Sequence, residues 1–142
     1  MKVNIIIPFY KDNDTIENLL RSIEDQDYKD FSVTIVLDGM NVKKNVKAEQ
    51  WLLGKYFDES GRCISPFKLN IERIKLNKGA SFARNFGAKI SGEDMQTDNS
   101  NNILFFIDAD CQLYPGMLRE AVEQLDENKD IDFVYFNYRF DN

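Results

Sequence analysis

Asp108 and Asp110 stand one residue apart at the end of the apolar run Ile103-Leu104-Phe105-Phe106-Ile107. Five apolar residues in succession read as a buried strand, so two carboxylates project from its C-terminal mouth. Charge placed there is costly unless something pairs with it. Hard divalent cations such as magnesium or manganese take oxygen ligands and often carry phosphate. The chemistry that suits this pair is therefore a metal-phosphate site. Asp is also an ordinary turn former and helix N-cap where strands end, so the motif draws its weight from the segments that accompany it.

A phosphate ligand calls for cations, and the stretch Asn77 to Gly87 supplies Lys78 and Arg84. Arg84 lies off the apolar stripe of Ala83, Phe86, Gly87 and Ile90, so its stem is not needed to cover the core. A nucleobase calls for a planar slot and an acceptor for its imide N–H. Tyr10 can line the slot and Asp38 can accept the bond, although Asp38-Gly39 is equally the signature of a tight turn. No G-x-G-x-x-G follows the first strand, and there is no Walker A lysine loop, so neither a dinucleotide fold nor a P-loop is expected.

The chain has no histidine, which removes Ser-His-Asp and Cys-His catalysis and histidine-based zinc sites. Its two cysteines, Cys63 and Cys111, follow no metal-ligand spacing and read as reduced thiols. Chemistry must run on carboxylates, a bound metal and cations.

The elements that would position these residues alternate along the chain. Val3 to Pro8 is a β-branched apolar strand. Asp14-x-x-Glu17 resembles a capping box ahead of a helix with Ile16, Leu19, Leu20 and Ile23 on one face. Phe31 to Leu37 is a second strand, and Lys43 to Phe57 a helix with Val46, Leu52, Leu53 and Phe57 expected inside. Asp58 to Pro66 is a loop, and Lys68 to Leu76 a third strand. Ala80 to Ser91 is a helix, and Gly92 to Asn102 a polar surface loop. Strand four runs from Ile103 to Asp108. Pro115 opens a helix whose inner face is Leu118, Ala121, Val122 and Leu125, and Ile131 to Tyr138 is a last strand.

This alternation predicts an α/β fold: a Rossmann-like, mostly parallel sheet flanked by helices on both faces. Ligands of such sheets bind beyond the carboxyl ends of the strands, near the switch in strand order. Tyr10 and Asp12, Asp38, and Asp108 and Asp110 should then meet in one cleft.

The 142 residues suffice for one domain with a real core, and 43% hydrophobic with 13% aromatic content is that of a folded chain. A net charge of −6 without a basic run argues against nonspecific nucleic-acid binding. Apolar runs are strand-length, so no membrane span is expected, and polar residues from Lys11 onward interrupt any signal-peptide pattern. The expected location is the cytoplasm, or the inner face of the membrane for a longer protein.

Four segments together resemble the family-2 glycosyltransferases, inverting enzymes of GT-A fold. They are Ile5-Ile6-Ile7-Pro8-Phe9-Tyr10, Val36-Leu37-Asp38-Gly39, Asn77-x-Gly79 through Ala83-Arg84-Asn85-x-Gly87, and Phe106-Ile107-Asp108-Ala109-Asp110. The resemblance implies that Pro8 and Tyr10 border the nucleobase and Asp38 bonds the uracil ring. It places Arg84 near the base or diphosphate, Asp108 near the ribose, and Asp110 on a magnesium or manganese ion. The implied donor is a nucleotide sugar, a uridine diphosphate sugar first, and the implied product belongs to polysaccharide biosynthesis. The acceptor, whether carbohydrate, lipid-linked or protein, stays open. The family often carries a second aspartate where Leu37 stands, and another where Cys111 stands. It also places the acceptor-binding portion and the catalytic base after the nucleotide half, so the chain reads as the donor-binding portion of a longer enzyme. Two alternatives remain: a nucleotide-sugar-binding module without catalysis, and a haloacid-dehalogenase-like phosphatase with Asp108 as nucleophile.

Overall fold

Four parallel strands and four helices alternate in the computed structural model, which describes residues 1–12, 14–93 and 102–140. The order is β1 (Lys2–Phe9), α1 (Ile16–Glu24), β2 (Phe31–Asp38), α2 (Lys43–Tyr56), β3 (Lys68–Ile74), α3 (Ala80–Glu93), β4 (Asn102–Phe106) and α4 (Met117–Glu127). The strands lie in the order β3-β2-β1-β4. The chain thus moves outward from β1 to β3, then returns to the other side of β1 for β4. That reversal is the switch point expected from the β-α alternation.

Alternation within each strand divides the core. Val3, Ile5 and Ile7 of β1 and Val33, Ile35 and Leu37 of β2 share one buried cluster with Leu19, Leu20 and Ile23 of α1, Leu52 and Tyr56 of α2, and Leu118 of α4. Each fully buried aliphatic side chain contributes roughly 1.5–3 kcal/mol. The opposite face is covered by α3, through a smaller cluster of Val36, Ile74 and Ala83. There Gly87 brings the helix backbone onto the sheet: a Cβ at this position would lie 2.7 Å from Ile6 Cγ2 and 3.0 Å from Val36 Cγ2.

Register explains where the sheet opens. β1 and β2 stay paired to Phe9↔Leu37, whereas β1 and β4 pair only to Ile6↔Phe106. Ile6 C=O accepts the Ile107 N–H at 3.2 Å, so the backbone groups of Ile6, and of Pro8 two residues on, face β4. Pro8 has no N–H to offer there, and the ladder ends before it would need one. Beyond this point β1 and β4 part.

Several boundaries differ from the sequence reading. The capping residue of α1 is Asp12, not Asp14: Asp12 Oδ2 accepts the N–H groups of Thr15 and Ile16, both at 2.9 Å. Asp14 instead takes a positive φ of 65°. Val46 and Leu53 are each 37% exposed, because α2 turns Asn45, Leu52 and Tyr56 inward. Residues 131–138 form no strand; Phe136 docks through its ring on Phe105 and Tyr114, with centroids at 6.4 and 6.1 Å, while Phe133, Tyr135 and Tyr138 face outward. Of the loop expected over Gly92–Asn102, Gly92 lies within α3 and Asn102 opens β4, and residues 94–101 lie outside the described residues. No helix among the described residues is long and apolar enough to cross a membrane.

Candidate functional site

The parting of β1 and β4 leaves a cleft of about 530 Å³ at the carboxyl end of the sheet. Pro8, Tyr10, Asp38, Arg84, Asp108 and Asp110 all border it, together with Lys11, Asp12, Thr15, Asn77 and Gly79. Four segments distant in sequence therefore converge, each delivered by the end of a strand or the start of a helix.

The β1 side of the cleft is a built loop. Lys11 takes a positive φ of 51°, and its N–H donates to Asn45 Oδ1 at 3.0 Å. Asn45 is fully buried in the first turn of α2, and its Nδ2 donates to the carbonyls of Asp38 (3.1 Å) and Gly39 (3.0 Å). One amide thus ties the ends of β1 and β2 together. The Thr15 hydroxyl, with a single proton to donate, lies 2.5 Å from Asp12 Oδ1 and 3.1 Å from the Ala109 carbonyl oxygen, which sets the Asp108–Asp110 turn against the start of α1. Tyr10 is exposed at the rim, with the Lys11 ammonium 5.1 Å from its ring centre.

Asp38 occupies the floor. Only 1% of it is exposed, and its carboxylate accepts three bonds from one loop: Asn77 Nδ2 at 2.7 Å, Lys78 N–H at 2.8 Å and Gly79 N–H at 2.8 Å. The carboxylate expected to face a uracil ring borders the cleft and is engaged by the 77–79 loop. Leu37, which stands where a further aspartate is common in the resembled family, is fully buried in the core. The bond to Asp38 has a second consequence. A carboxylate only accepts, so Asn77 must present Nδ2 to it. Asn77 is exposed and borders the cleft, so its Oδ1 is the side-chain group left over for another partner.

Arg84 and Asp108 meet across the cleft, Nη2 to Oδ1 at 2.6 Å, with side chains 34% and 44% exposed. Lys78, the other cation of that segment, does not line the cleft; its ammonium lies 5.7 Å from the Phe82 ring centre. Lys11 takes its place as the second cation at the rim.

Asp110 is exposed, and its Oδ1 lies 3.6 Å from Cys111 Sγ. Burial, reinforced by the charge of Asp110, pushes the Cys111 thiol up, so it stays protonated at neutral pH. Both cysteines are free. No group of three or more His, Cys, Asp or Glu side chains that could hold a metal exists among the described residues. A structural metal cage is thus not what the donors offer. One exposed carboxylate at a cleft of this kind does suit a magnesium-like ion, which keeps waters and takes its remaining ligands from a substrate phosphate.

Sequence reasoning missed Asn45, Thr15, Lys11 and the orienting of Asn77. Buried asparagine at a helix start leaves no distinctive pattern, and the signal available for Asp12 was its place three residues before Thr15 at the helix start.

Comparison with known proteins gives these observations a frame. The family described as Glycosyl transferase family 2 matches residues 4–142. An uncharacterized glycosyltransferase of Haemophilus influenzae is 29% identical over 133 residues, which are 94% of this chain and 37% of that protein. The crystal structure of S. aureus TarS 1-349 superposes with a TM-score of 0.62 at 23% identity, covering 89% of this chain and 33% of that one. Its complex with UDP-GlcNAc superposes with a TM-score of 0.63, covering 89% and 32%. The chain therefore spans about a third of the length of these relatives.

Proposed function

The chain belongs to glycosyltransferase family 2, and we propose on that premise that the cleft at the ends of β1 and β4 binds the nucleoside diphosphate of a sugar donor. The single observation that carries this reading is the convergence of Tyr10, Arg84, Asp108 and Asp110 on one cleft. The similar TarS structure has been obtained with UDP-GlcNAc, which supports a uridine diphosphate sugar as the donor class.

In this reading Pro8 and Tyr10 wall the base. Asn77 Oδ1 accepts the imide N–H, and Asp38 holds the amide in that sense from behind. Asp108 accepts ribose hydroxyls. Arg84 and Lys11 offset phosphate charge, with charge-assisted bonds stronger than neutral ones. Asp110 holds a magnesium or manganese ion, which when bound neutralises the departing diphosphate as a Lewis acid. In the transfer itself an acceptor hydroxyl oxygen bonds to the anomeric carbon from the face opposite the diphosphate. The carbon–oxygen bond to the diphosphate breaks, and the configuration inverts. The hydroxyl proton goes to a base that we do not assign within these residues. The 142 residues are the donor-binding portion in this account, acting in the cytoplasm.

Calorimetry with UDP, UDP-sugars and the other nucleoside diphosphates, each with and without magnesium or manganese, tests the proposal. Binding of UDP that strengthens with the metal supports it. Failure of every nucleotide to bind overturns it. Product formation with simple acceptors separates a transferase from a binding module that only holds the donor.

A further inference from the structure

Beside the cleft, the first turn of α2 and the loop after β3 are joined at the carboxyl end of the sheet. The N–H groups of Gly39 and Met40 both donate to the Ile74 carbonyl at 2.9 Å, and the loop that follows is held by Asp38. This junction sets the start of α2, with Lys43 and Lys47, and the loop after β3, with Lys75 and Lys78, at the same end of the sheet, and all four lysines are exposed. Lys43, Lys47 and Lys75 make no ion pair with any described residue. Such a local concentration of uncompensated positive charge stands out in a chain of net charge −6. Apolar side chains sit among these lysines. Leu76, between Lys75 and Lys78, is 57% exposed in the loop, and Val46, 37% exposed, shares a face of α2 with Lys43 and Lys47, since Val46 and Lys47 follow Lys43 at three and four residues.

We propose that this rim docks the domain on an anionic phospholipid bilayer. Lysines are drawn to the negative surface potential of such a membrane, and apolar side chains between them enter the headgroup boundary. A soluble polyanion would satisfy the lysines but give Leu76 and Val46 nothing. That difference is the reason for choosing a bilayer as the occupant. The contact would set the neighbouring cleft beside the membrane surface while leaving Arg84, Asp108 and Asp110 outside it. The proposal does not depend on which ligand the cleft takes.

The test is co-sedimentation of the 142-residue chain with phosphatidylglycerol–phosphatidylcholine vesicles, against vesicles of phosphatidylcholine alone. Binding should be confined to the anionic vesicles and should fall as salt rises, because exposed charges are screened. Each lysine near the surface strengthens binding by roughly five-fold. Removing two in Lys43→Gln/Lys47→Gln should therefore weaken it by about 25-fold, and Lys75→Gln by about five-fold. Leu76→Ser should weaken it further, by several-fold. Lys129→Gln, at the far end of α4, should bind as the parent does and controls for overall charge. Circular dichroism checks that each variant is folded. Equal binding to neutral vesicles, or lysine variants that bind like the parent, overturns the proposal. So does full binding by Leu76→Ser together with equal retention on soluble polyphosphate, which would make the lysines a polyanion site.

Discussion

Asn77 gives its side-chain amide to Asp38, Nδ2 to Oδ2 at 2.7 Å, and, itself exposed on the cleft lining, keeps its carbonyl oxygen for another partner. The buried carboxylate decides the amide's orientation, and the exposed amide is left to meet the ligand. The two residues should therefore fail differently. Asp38→Ala removes a buried side chain and leaves the part-buried N–H groups of Lys78 and Gly79 without their acceptor, and should cost about 2 kcal/mol of stability. Asn77→Ala keeps both backbone bonds and should cost about 1 kcal/mol or less. It should nevertheless weaken UDP binding by roughly ten-fold, the worth of one good hydrogen bond to a base. Urea denaturation and calorimetry on the two variants separate these effects. If Asn77→Ala binds UDP as the parent does, the acceptor role is wrong.

Arg84 and Asp108 give the opposite pattern. Their contact is short, but both side chains are partly exposed, so water screens much of the attraction and the pair adds less than about 1 kcal/mol to stability. Arg84→Ala should melt near the parent temperature. In the proposed site it removes a cation from the diphosphate, and UDP affinity should fall by about ten-fold or more while uridine affinity changes little. Loss of both affinities alike would place Arg84 against the base instead.

Gly87 tests how closely α3 rides on the sheet. With a Cβ only 2.7 Å from Ile6 Cγ2, Gly87→Ala must push the helix away or force β1 and β2 side chains aside. Overpacking of this kind costs about 1–3 kcal/mol. Because α3 carries Arg84 one turn earlier, the same variant should also weaken nucleotide binding. Thermal denaturation and UDP titration check both effects. A variant of unchanged stability would mean that the helix has room to spare.

How much of this was legible in the sequence depended on the kind of signal. The apolar runs that stop at Asp38 and Asp108 located the ends of β2 and β4 to within two residues, but β4 ends at Phe106 and is not the buried strand its apolar run suggested, since Leu104 and Phe106 are 44% and 46% exposed. β-α alternation was enough to expect a parallel sheet with its cleft at a switch point, but not the strand order β3-β2-β1-β4 that locates it. What escaped were contacts set by tertiary packing. Asn45 is polar at a helix start, where sequence rules expect solvent, yet it is fully buried and bonded to the chain after β1, at Lys11, and after β2, at Asp38 and Gly39. Val46 is apolar and was expected inside, but α2 packs on the sheet through Leu52 and Tyr56 and leaves it outside. Residues 131–138 have strand-like composition, and nothing local to them records that Phe136 alone would engage the core. The direction of Asp38 was the subtlest case. Its type and place were readable, but the three bonds that the 77–79 loop makes to it were not.

Tyr56 should give the fold an alkaline limit. Its ring is buried between Trp51 and Phe67, and its hydroxyl donates to Glu24 Oε1 at 2.9 Å. Burial first, then the bond to Glu24, raises its pKa far above the ordinary 10.0. The unfolded chain would lose this proton at about pH 10, whereas the folded one keeps it. Between those two values the folded state binds more protons, so stability is full below pH 10 and declines as pH rises beyond it. Tyr56→Phe should be less stable at neutral pH by about 1 kcal/mol for the lost bond, with a shallower decline above pH 10. Urea denaturation at a series of alkaline pH values measures both slopes. Equal slopes would assign the alkaline loss to other groups.

Asp110 decides whether a metal takes part. It is the exposed carboxylate at the cleft with no cation paired to it among the described residues, in contrast to Asp108. Asp110→Asn keeps the size of the side chain and removes only its charge. Stability should therefore change by less than about 0.5 kcal/mol, as for other surface substitutions. In the parent, magnesium or manganese should strengthen UDP binding. In the variant that gain should shrink by about 2 kcal/mol, since the ion would lose its one protein charge. UDP binding without metal should stay the same or improve slightly, because a negative charge near the phosphates has gone. Cys111→Asp, which adds a carboxylate beside Asp110, should act in the opposite direction and enlarge the metal-dependent gain. Titrations of UDP with and without chelator on the three proteins separate these outcomes. If chelation leaves the parent's affinity unchanged, Asp110 holds no metal, and phosphate charge in this cleft is met by Arg84 and Lys11 alone.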